Sequence, residues 1–434
     1  MPHAASCTNT RKEIARDKMV LLLIQMTAVL LTALLCGWTA RKLGQARVIG
    51  EIIGGILIGP SVFGRVAPQA QATLFPPSSF DSFEVLSTVG LILFLFLIGS
   101  DLDLEHLRLQ RRTVALASIT SILFPFMMAA AFAHLLRVRF APDAVGTVPF
   151  IIFLGISMSI TAFPVLVRIL EERQLLSTPL GTTALMCAAV DDVCAWILLA
   201  VALALTPHSG ESMALPYRLV WLALYLAVML GIVRPLGNWL VKRRAIAGFS
   251  YELLGIIVAY LLASAAATEA IGVHPLFGAF MAGVCFPRIE PLQSALRARL
   301  YMIASVLLLP LFFALTGMRT RLDLLSGPTV WLWTALVVAV AIVGKIGGTV
   351  LVARCTGRSW QYALALGALL NTRGLVELIV LNIAYNAHVF SPTLFTMLVV
   401  MALITTMMTT PILNLLRVGV RGRETPDMQA VDAI

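Results

Sequence analysis

The sequence predicts an all-α, polytopic membrane protein of about thirteen transmembrane helices, arranged as two inverted six-helix repeats. Three observations predict it. The 434 residues are 59% hydrophobic and 12% charged, with a mean hydropathy of +0.92, whereas soluble domains carry about 25% charged residues. Apolar stretches close to the roughly 20 residues that cross a hydrocarbon core recur along the whole chain. Two of these stretches, at corresponding places in the two halves, are interrupted by polar and helix-breaking residues.

The first apolar run, residues 19–40, follows a tail of residues 1–18. It is too long and too Leu-rich for a cleaved leader, and Trp38-Thr39-Ala40-Arg41 lacks the small-residue cleavage pattern, so it is expected to stay. The tail mixes Arg11, Lys12 and Arg16 with Glu13 and Asp17, unlike an acid-poor transit peptide. Spans follow at 48–65, 84–100, 113–136, 148–167 and 178–206, then a seventh at 216–240 that reads as a connector. The second half repeats the plan at 250–268, 273–287, 300–318, 327–353, 360–386 and 392–416, and 417–434 form a C-terminal tail. Six spans, one odd connector and six more put the second set in inverted orientation. No loop is long enough for a soluble domain, so the chemistry is expected within the membrane or at its surface.

Most of the 32 basic residues fall in loops that share a face with the C-terminus, among them Arg41, Lys42, Arg108, Arg111, Arg112, Arg173, Lys242 and Arg421. The positive-inside rule then places the C-terminus in the cytoplasm, and a bacterial inner membrane is the expected location. The net charge of +10 is accounted for by these loops and calls for no nucleic-acid partner. Six cysteines occur singly, without a Cys/His cluster, so neither a zinc site nor a disulfide framework is indicated and no cofactor is expected. His274, just before Pro275, reads as a helix-start residue.

The interruptions lie in the fifth member of each half. In the first, Ser157-Met158-Ser159-Ile160-Thr161-Ala162-Phe163-Pro164 combines hydroxyl residues with a mid-span proline, which removes a backbone donor and disfavours helix at Phe163. In the second, Asn371-Thr372-Arg373-Gly374 breaks the apolar run at the matching place. Paired interruptions of this kind point to the midplane site of a transporter.

Charges inside spans sharpen that expectation. Asp191 and Asp192 sit side by side in a helix otherwise made of apolar residues, where one Asp at the centre costs about 2.5–3.5 kcal/mol. They lie about 100° apart around the helix, so they face different neighbours. Lys345 is the one lysine deep in a span, flanked by Gly344, Gly347 and Gly348, which admit another backbone closely. Unlike arginine, a buried lysine can give up its proton. The expected arrangement pairs Lys345 with Asp191 and leaves Asp192 facing a water-filled cavity, where it binds a monovalent cation or a proton. A static ion pair that merely fixes packing is the alternative. Arg373 and Glu377, four apart, can pair within one helix. Glu51 lies among Gly50, Gly54, Gly55 and Gly59, whose spacing favours close helix packing or a dimer surface.

Six motifs in order resemble the monovalent cation:proton antiporter superfamily, in the branch that includes bacterial sodium/proton and potassium/proton exchangers and plant cation/proton exchangers. They are Val48-Ile49-Gly50-Glu51-Ile52 with Leu57-Ile58-Gly59-Pro60-Ser61, then Ile160-Thr161-Ala162-Phe163-Pro164-Val165 and Val190-Asp191-Asp192-Val193. His274-Pro275-Leu276-Phe277-Gly278-Ala279-Phe280, Pro310-Leu311-Phe312-Phe313-Ala314 and Asn371-Thr372-Arg373-Gly374-Leu375-Val376-Glu377-Leu378 complete the series.

The resemblance implies a panel or dimer domain over 19–112 and 250–318, a core ion-transport domain over 113–206 and 327–416, and a linker helix at 216–240. It implies that the two broken helices cross beside the acidic pair and that the protein forms a homodimer in the lipid bilayer. By the motif, Asp192 is the ion-binding carboxylate, Asp191 pairs with Lys345, and Thr161 lies in the unwound segment. Arg373, Glu377, Pro164 and Asn371 support the breaks. The implied activity is secondary active exchange of sodium or potassium for protons, not an enzymatic reaction. Members with Asp at the first acidic position are associated with electrogenic exchange, and this chain has Asp191.

Exchange needs one site that holds a proton or a cation but not both. A carboxylate deprived of water meets that need, because burial favours its protonated form. Three alternatives use the same residues. A channel passes current without a counter-gradient, and an ion-coupled symporter of the same architecture wants a larger polar cavity. An intramembrane aspartyl protease needs two carboxylates on one water, which suits separate helices better than neighbours about 100° apart.

Overall fold

The computed structural model describes residues 3–101, 111–142, 145–176, 178–205, 215–237, 251–287 and 289–419. Arg108, Lys242 and Arg421 of the basic loops lie outside them. Among the described residues, ten helices are long and apolar enough to cross a membrane. Trp360–Leu370 and Leu375–Asn386 do so together across a 44° bend, and Thr147–Ser159 and Pro275–Cys285 are shorter apolar helices. Each of the thirteen expected stretches therefore contains a helix.

The helices used below are α1 (His3–Lys42), α2 (Arg47–Ile58), α3 (Phe80–Asp101), α4 (Arg111–Phe140), α5 (Thr147–Ser159) and α6 (Phe163–Glu172). They continue with α7 (Pro179–Leu205), α8 (Leu215–Val228), α9 (Tyr251–Ala270), α10 (Pro275–Cys285) and α11 (Leu309–Arg319). The last four are α12 (Pro328–Cys355), α13 (Trp360–Leu370), α14 (Leu375–Asn386) and α15 (Pro392–Leu415).

The described residues form two compact units, one within Met1–Leu91 and Met302–Arg321, the other within Ile92–Tyr301 and Leu322–Ile434. In the first, α2 lies between α1 and α11, and small residues decide how closely. A Cβ on Gly50 would come within 2.3 Å of the Cys36 carbonyl oxygen on α1, and one on Gly55 within 2.1 Å of the Ala314 carbonyl oxygen on α11. The glycines of the second span thus serve packing within the chain on both faces. Glu51 is buried and pairs one helical turn back with Arg47 at 2.7 Å. Glu84, at the start of its span, meets Arg319 at 2.8 Å.

The second unit holds both broken spans. Helices α4, α7, α12 and α15 pack around them. Serine and threonine side chains here bond mostly to carbonyls one turn back, as Ser157 does to Phe153 at 2.7 Å and Thr349 to Lys345 at 2.7 Å. Such bonds hide hydroxyls in apolar surroundings and leave those that point elsewhere conspicuous. On α10, the His274 ring accepts from the Leu276 N–H at 3.4 Å and so caps the helix that Pro275 starts.

Candidate functional site

The site is built where two helices stop and restart. After α5 the backbone turns extended at Ile160 (φ −72°, ψ 139°) and becomes helical again at Phe163. The helix-disfavouring effect of Pro164 is expected at Phe163; the residues outside helix are instead 160–162, and Phe163 is the first residue of α6. Proline is tolerated in a first turn because its missing N–H has no intrahelical partner there. The second break runs from Asn371 to Gly374 between α13 and α14.

The two breaks cross in direct contact. The Ala162 N–H donates to the Thr372 carbonyl at 2.9 Å, and the Thr161 hydroxyl lies 2.8 Å from the Leu370 carbonyl at the end of α13. A Cβ on Gly374 would meet Val165 Cγ2 at 2.7 Å and Ala162 Cβ at 3.3 Å, so a larger residue would push the breaks apart. Thr406 on α15 brackets the second break, accepting from the Arg373 N–H at 3.0 Å while its hydroxyl lies 2.7 Å from the Arg373 carbonyl.

Arg373 spans both breaks. Its guanidinium donates to the carbonyls of Ser157 and Met158, the latter at 2.8 Å, and to Glu377 Oε1 at 3.3 Å. The two carbonyls belong to the last turn of α5, where helix carbonyls have no partner of their own and partial negative charge collects. Glu377 lies in the first turn of α14, the end at which a carboxylate is favoured. Both side chains are buried. Asn371 is buried as well, its amide nitrogen 3.7 Å from the Met408 sulfur.

Asp191 and Asp192, both on α7 and both 1% exposed, have opposite surroundings. Asp191 Oδ2 receives the Lys345 ammonium at 2.7 Å and the Thr161 hydroxyl at 2.7 Å, and the Ser121 hydroxyl stands 3.0 and 3.1 Å from its two oxygens. Neither oxygen of Asp192 has a hydrogen-bond partner. The Phe163 N–H, at the start of α6, faces the Asp192 carboxylate without closing a bond to it. One turn along α7 the indole N–H of Trp196 is also buried and unpartnered, its ring stacked on Phe280 at 5.8 Å.

Lys345 is fully buried, and its three protons are shared among four acceptors: Asp191 Oδ2, the Ser121 carbonyl at 2.9 Å, the Ser159 carbonyl and, longer at 3.3 Å, the Ser121 hydroxyl. Both carbonyls are free for a structural reason. Ser159 ends α5, and Ser121 lies four residues before Pro125 in α4, so no intrahelical N–H reaches it. Lys345 itself sits in a π-helical segment, Val343–Gly347, within α12, a local widening frequent at functional sites. A Cβ on Gly344 would lie 3.0 Å from Pro125 Cα and one on Gly348 2.9 Å from Phe124 Cβ, so these two glycines bring α12 against α4; one on Gly347 would come no closer than 4.0 Å to its surroundings.

Of the residues singled out in the sequence, the structure gathers Asp191, Lys345 and Thr161 into one hydrogen-bonded cluster, with Arg373 and Glu377 across the same break. Asp192 is adjacent and unbonded, and Pro164 lies in the first turn of α6. Sequence reading missed Ser121, which serves the site twice, through its hydroxyl and its carbonyl. The signal was present as a proline four residues later in the same span.

Residues 30–415 match the family model described as "Sodium/hydrogen exchanger, transmembrane". Over 398 residues the chain is 39% identical to a protein of Synechocystis sp. named Na(+)/H(+) antiporter NhaS4, covering 91% of this chain and 97% of that one. It is 41% identical over 398 residues to Cation/H(+) antiporter 17 of Arabidopsis thaliana, covering 90% of this chain but 48% of that longer protein. The structure of the sodium proton antiporter MjNhaP1 from Methanocaldococcus jannaschii superimposes with a TM-score of 0.67 over 94% of this chain and 100% of that one. At 16% identity this last likeness is one of fold.

Proposed function

The chain belongs to the sodium/hydrogen exchanger family, and from that premise we propose that it is a secondary active antiporter exchanging a monovalent cation, sodium or potassium, for protons by alternating access. The observation that carries this reading is the unequal pair on α7. Asp191 is saturated by Lys345, Thr161 and Ser121, whereas both oxygens of Asp192 are buried without a partner. A buried carboxylate in that condition is stabilised either by a proton or by a cation, and each excludes the other.

Exchange follows from that exclusion. With Asp192 occupied by either ligand, its own charge is neutralised and the core that carries it can move; with Asp192 bare, that carboxylate would face the bilayer uncompensated. The Asp191–Lys345 pair stays closed while the lysine is charged. If the lysine also cycles its proton, two protons exchange for one cation and one net charge crosses, worth about 2.3 kcal/mol per 100 mV. The crossed breaks hold the site, Arg373 and Glu377 offset the charge of the broken helix ends, and Thr161 joins Asp191 to the end of α13.

We place the working unit as a homodimer in a bacterial inner membrane with the C-terminus cytoplasmic, residues 19–112 and 250–318 forming the panel and residues 113–206 and 327–416 the mobile core. Dye dequenching in inside-out vesicles, with sodium, potassium and lithium added in turn, tests the exchange. Wild type is expected to release the preformed proton gradient on addition of its cation, and the Asp192→Asn variant to give no response. A vesicle current that persists without any counter-gradient would instead indicate a channel.

A further inference from the structure

We infer that protons reach Lys345 and Asp191 by a route of their own, a buried column of hydroxyl and thiol groups between α4, α7 and α13 that the cation does not use. This rests on the exchange reading above in its two-proton form, in which Lys345 cycles a proton in addition to the one that competes at Asp192. Thr183, Cys187 and Asp191 are spaced by four residues and share one face of α7, all of them buried. Opposite them α4 presents Ser118 and Ser121, both 0% exposed. Ser121 bonds Asp191. Unlike most hydroxyls in this unit, that of Ser118 bonds no carbonyl of its own helix; it closes no hydrogen bond and lies beside the Cys187 thiol. At the far end, the Tyr362 hydroxyl donates to Thr183 Oγ1 at 3.1 Å, and the tyrosine ring lies under the Arg358 guanidinium at 5.1 Å in the loop before α13. Polar groups therefore run without a gap longer than one helical turn, about 5–6 Å between Cβ atoms, from the Lys345 ammonium to the loop of Arg358.

The chemistry of the column suits protons and not metal cations. Every member is both donor and acceptor, so a proton can pass by exchange of O–H and S–H bonds, with one water bridging each turn-length step and every group returned to its starting protonation. A metal cation would find no carboxylate along the way except Asp191, which Lys345 already occupies, and would have to approach a buried ammonium. Asp192 lies on another face of α7, about 100° from Asp191. Proton entry to the lysine pair and cation entry to Asp192 are thereby separated around one helix.

The test uses the full chain in proteoliposomes, read in two ways: cation/proton exchange by an internal pH dye, and isotopic cation/cation exchange at equal pH on both sides. Cys187→Val and Tyr362→Phe remove a relay group with little change in volume; Cys187→Ser keeps one. Expected results are a fall of about tenfold in cation/proton exchange for Cys187→Val and Tyr362→Phe, the effect of one hydrogen bond on a barrier. Isotopic exchange should be unchanged, and Cys187→Ser should keep the wild-type rate. Equal losses in both assays, or none in either for Tyr362→Phe, would overturn the inference. Wild type that exchanges isotope but moves no protons would contradict the antiport reading instead.

Discussion

The Lys345 ammonium donates to the Ser121 backbone carbonyl at 2.9 Å, and that carbonyl is available because Pro125, one turn later in α4, has no N–H to offer it. A helix defect on one element thus supplies a ligand to a charge on another, and Gly344 lets the two elements come close enough. The lysine is held by two such carbonyls, at Ser121 and at the end of α5, so it stays anchored even when its bond to Asp191 opens.

Pro125→Ala restores the missing N–H and sets it in competition with Lys345 for the Ser121 carbonyl. Stability should change by no more than about 1 kcal/mol, because one hydrogen bond replaces another. Exchange should slow several-fold and lose sensitivity to membrane potential. A variant with wild-type rates in potential-clamped proteoliposomes would show that the proline merely shapes the helix.

Removing one member of the Lys345–Asp191 pair leaves the other charge buried alone. Lys345→Ala or Asp191→Ala should therefore destabilise the detergent-solubilised protein by about 3–5 kcal/mol. The double variant should recover much of that loss, which thermal unfolding of all three will reveal. Additive losses would mean that the two residues contribute independently.

Gly374→Ala should open the crossing of the breaks, since its Cβ meets Val165 Cγ2 at 2.7 Å. Val165→Ala in the same chain removes the obstructing methyl groups and should restore transport in part. Cation-driven proton movement by the single and double variants makes the comparison; a Gly374→Ala variant with full activity would show that the crossing tolerates the extra carbon.

Competition at one carboxylate also fixes the sign of a pH effect. Where protons outcompete the cation, each unit rise in pH removes a tenfold excess of competitor. The apparent KM for the cation should fall about tenfold per unit, equivalent to roughly 1.4 kcal/mol, and level off once Asp192 is ionised. An apparent KM independent of pH would mean that proton and cation occupy different groups.

Much of this was legible in the sequence because the membrane makes exceptions visible. A charge or a polar run stands out against about 20 apolar residues, and hence Asp191, Asp192, Lys345 and the Asn371–Gly374 break are visible without a structure. What held them was less legible. Spacing relates Arg373 to Glu377, four apart on one helix, but not Arg373 to the Ser157 and Met158 carbonyls more than 200 residues away. Backbone acceptors carry no residue-type signature, and their availability depends on where a helix ends or is interrupted. Glycine spacing in the second span left packing and a dimer surface both open, because a small residue admits any close neighbour; the neighbours here are α1 and α11 of the same chain.

In the proposed exchange Asp192 is the group over which proton and cation compete, while Asp191 is committed to Lys345. Proton release into weakly buffered detergent solution on addition of sodium or potassium measures that competition directly, without transport. Wild type should release protons in proportion to bound cation, and Asp192→Asn, with Asp191 and Lys345 untouched, should release none. Undiminished release from Asp192→Asn would place the competition at another group.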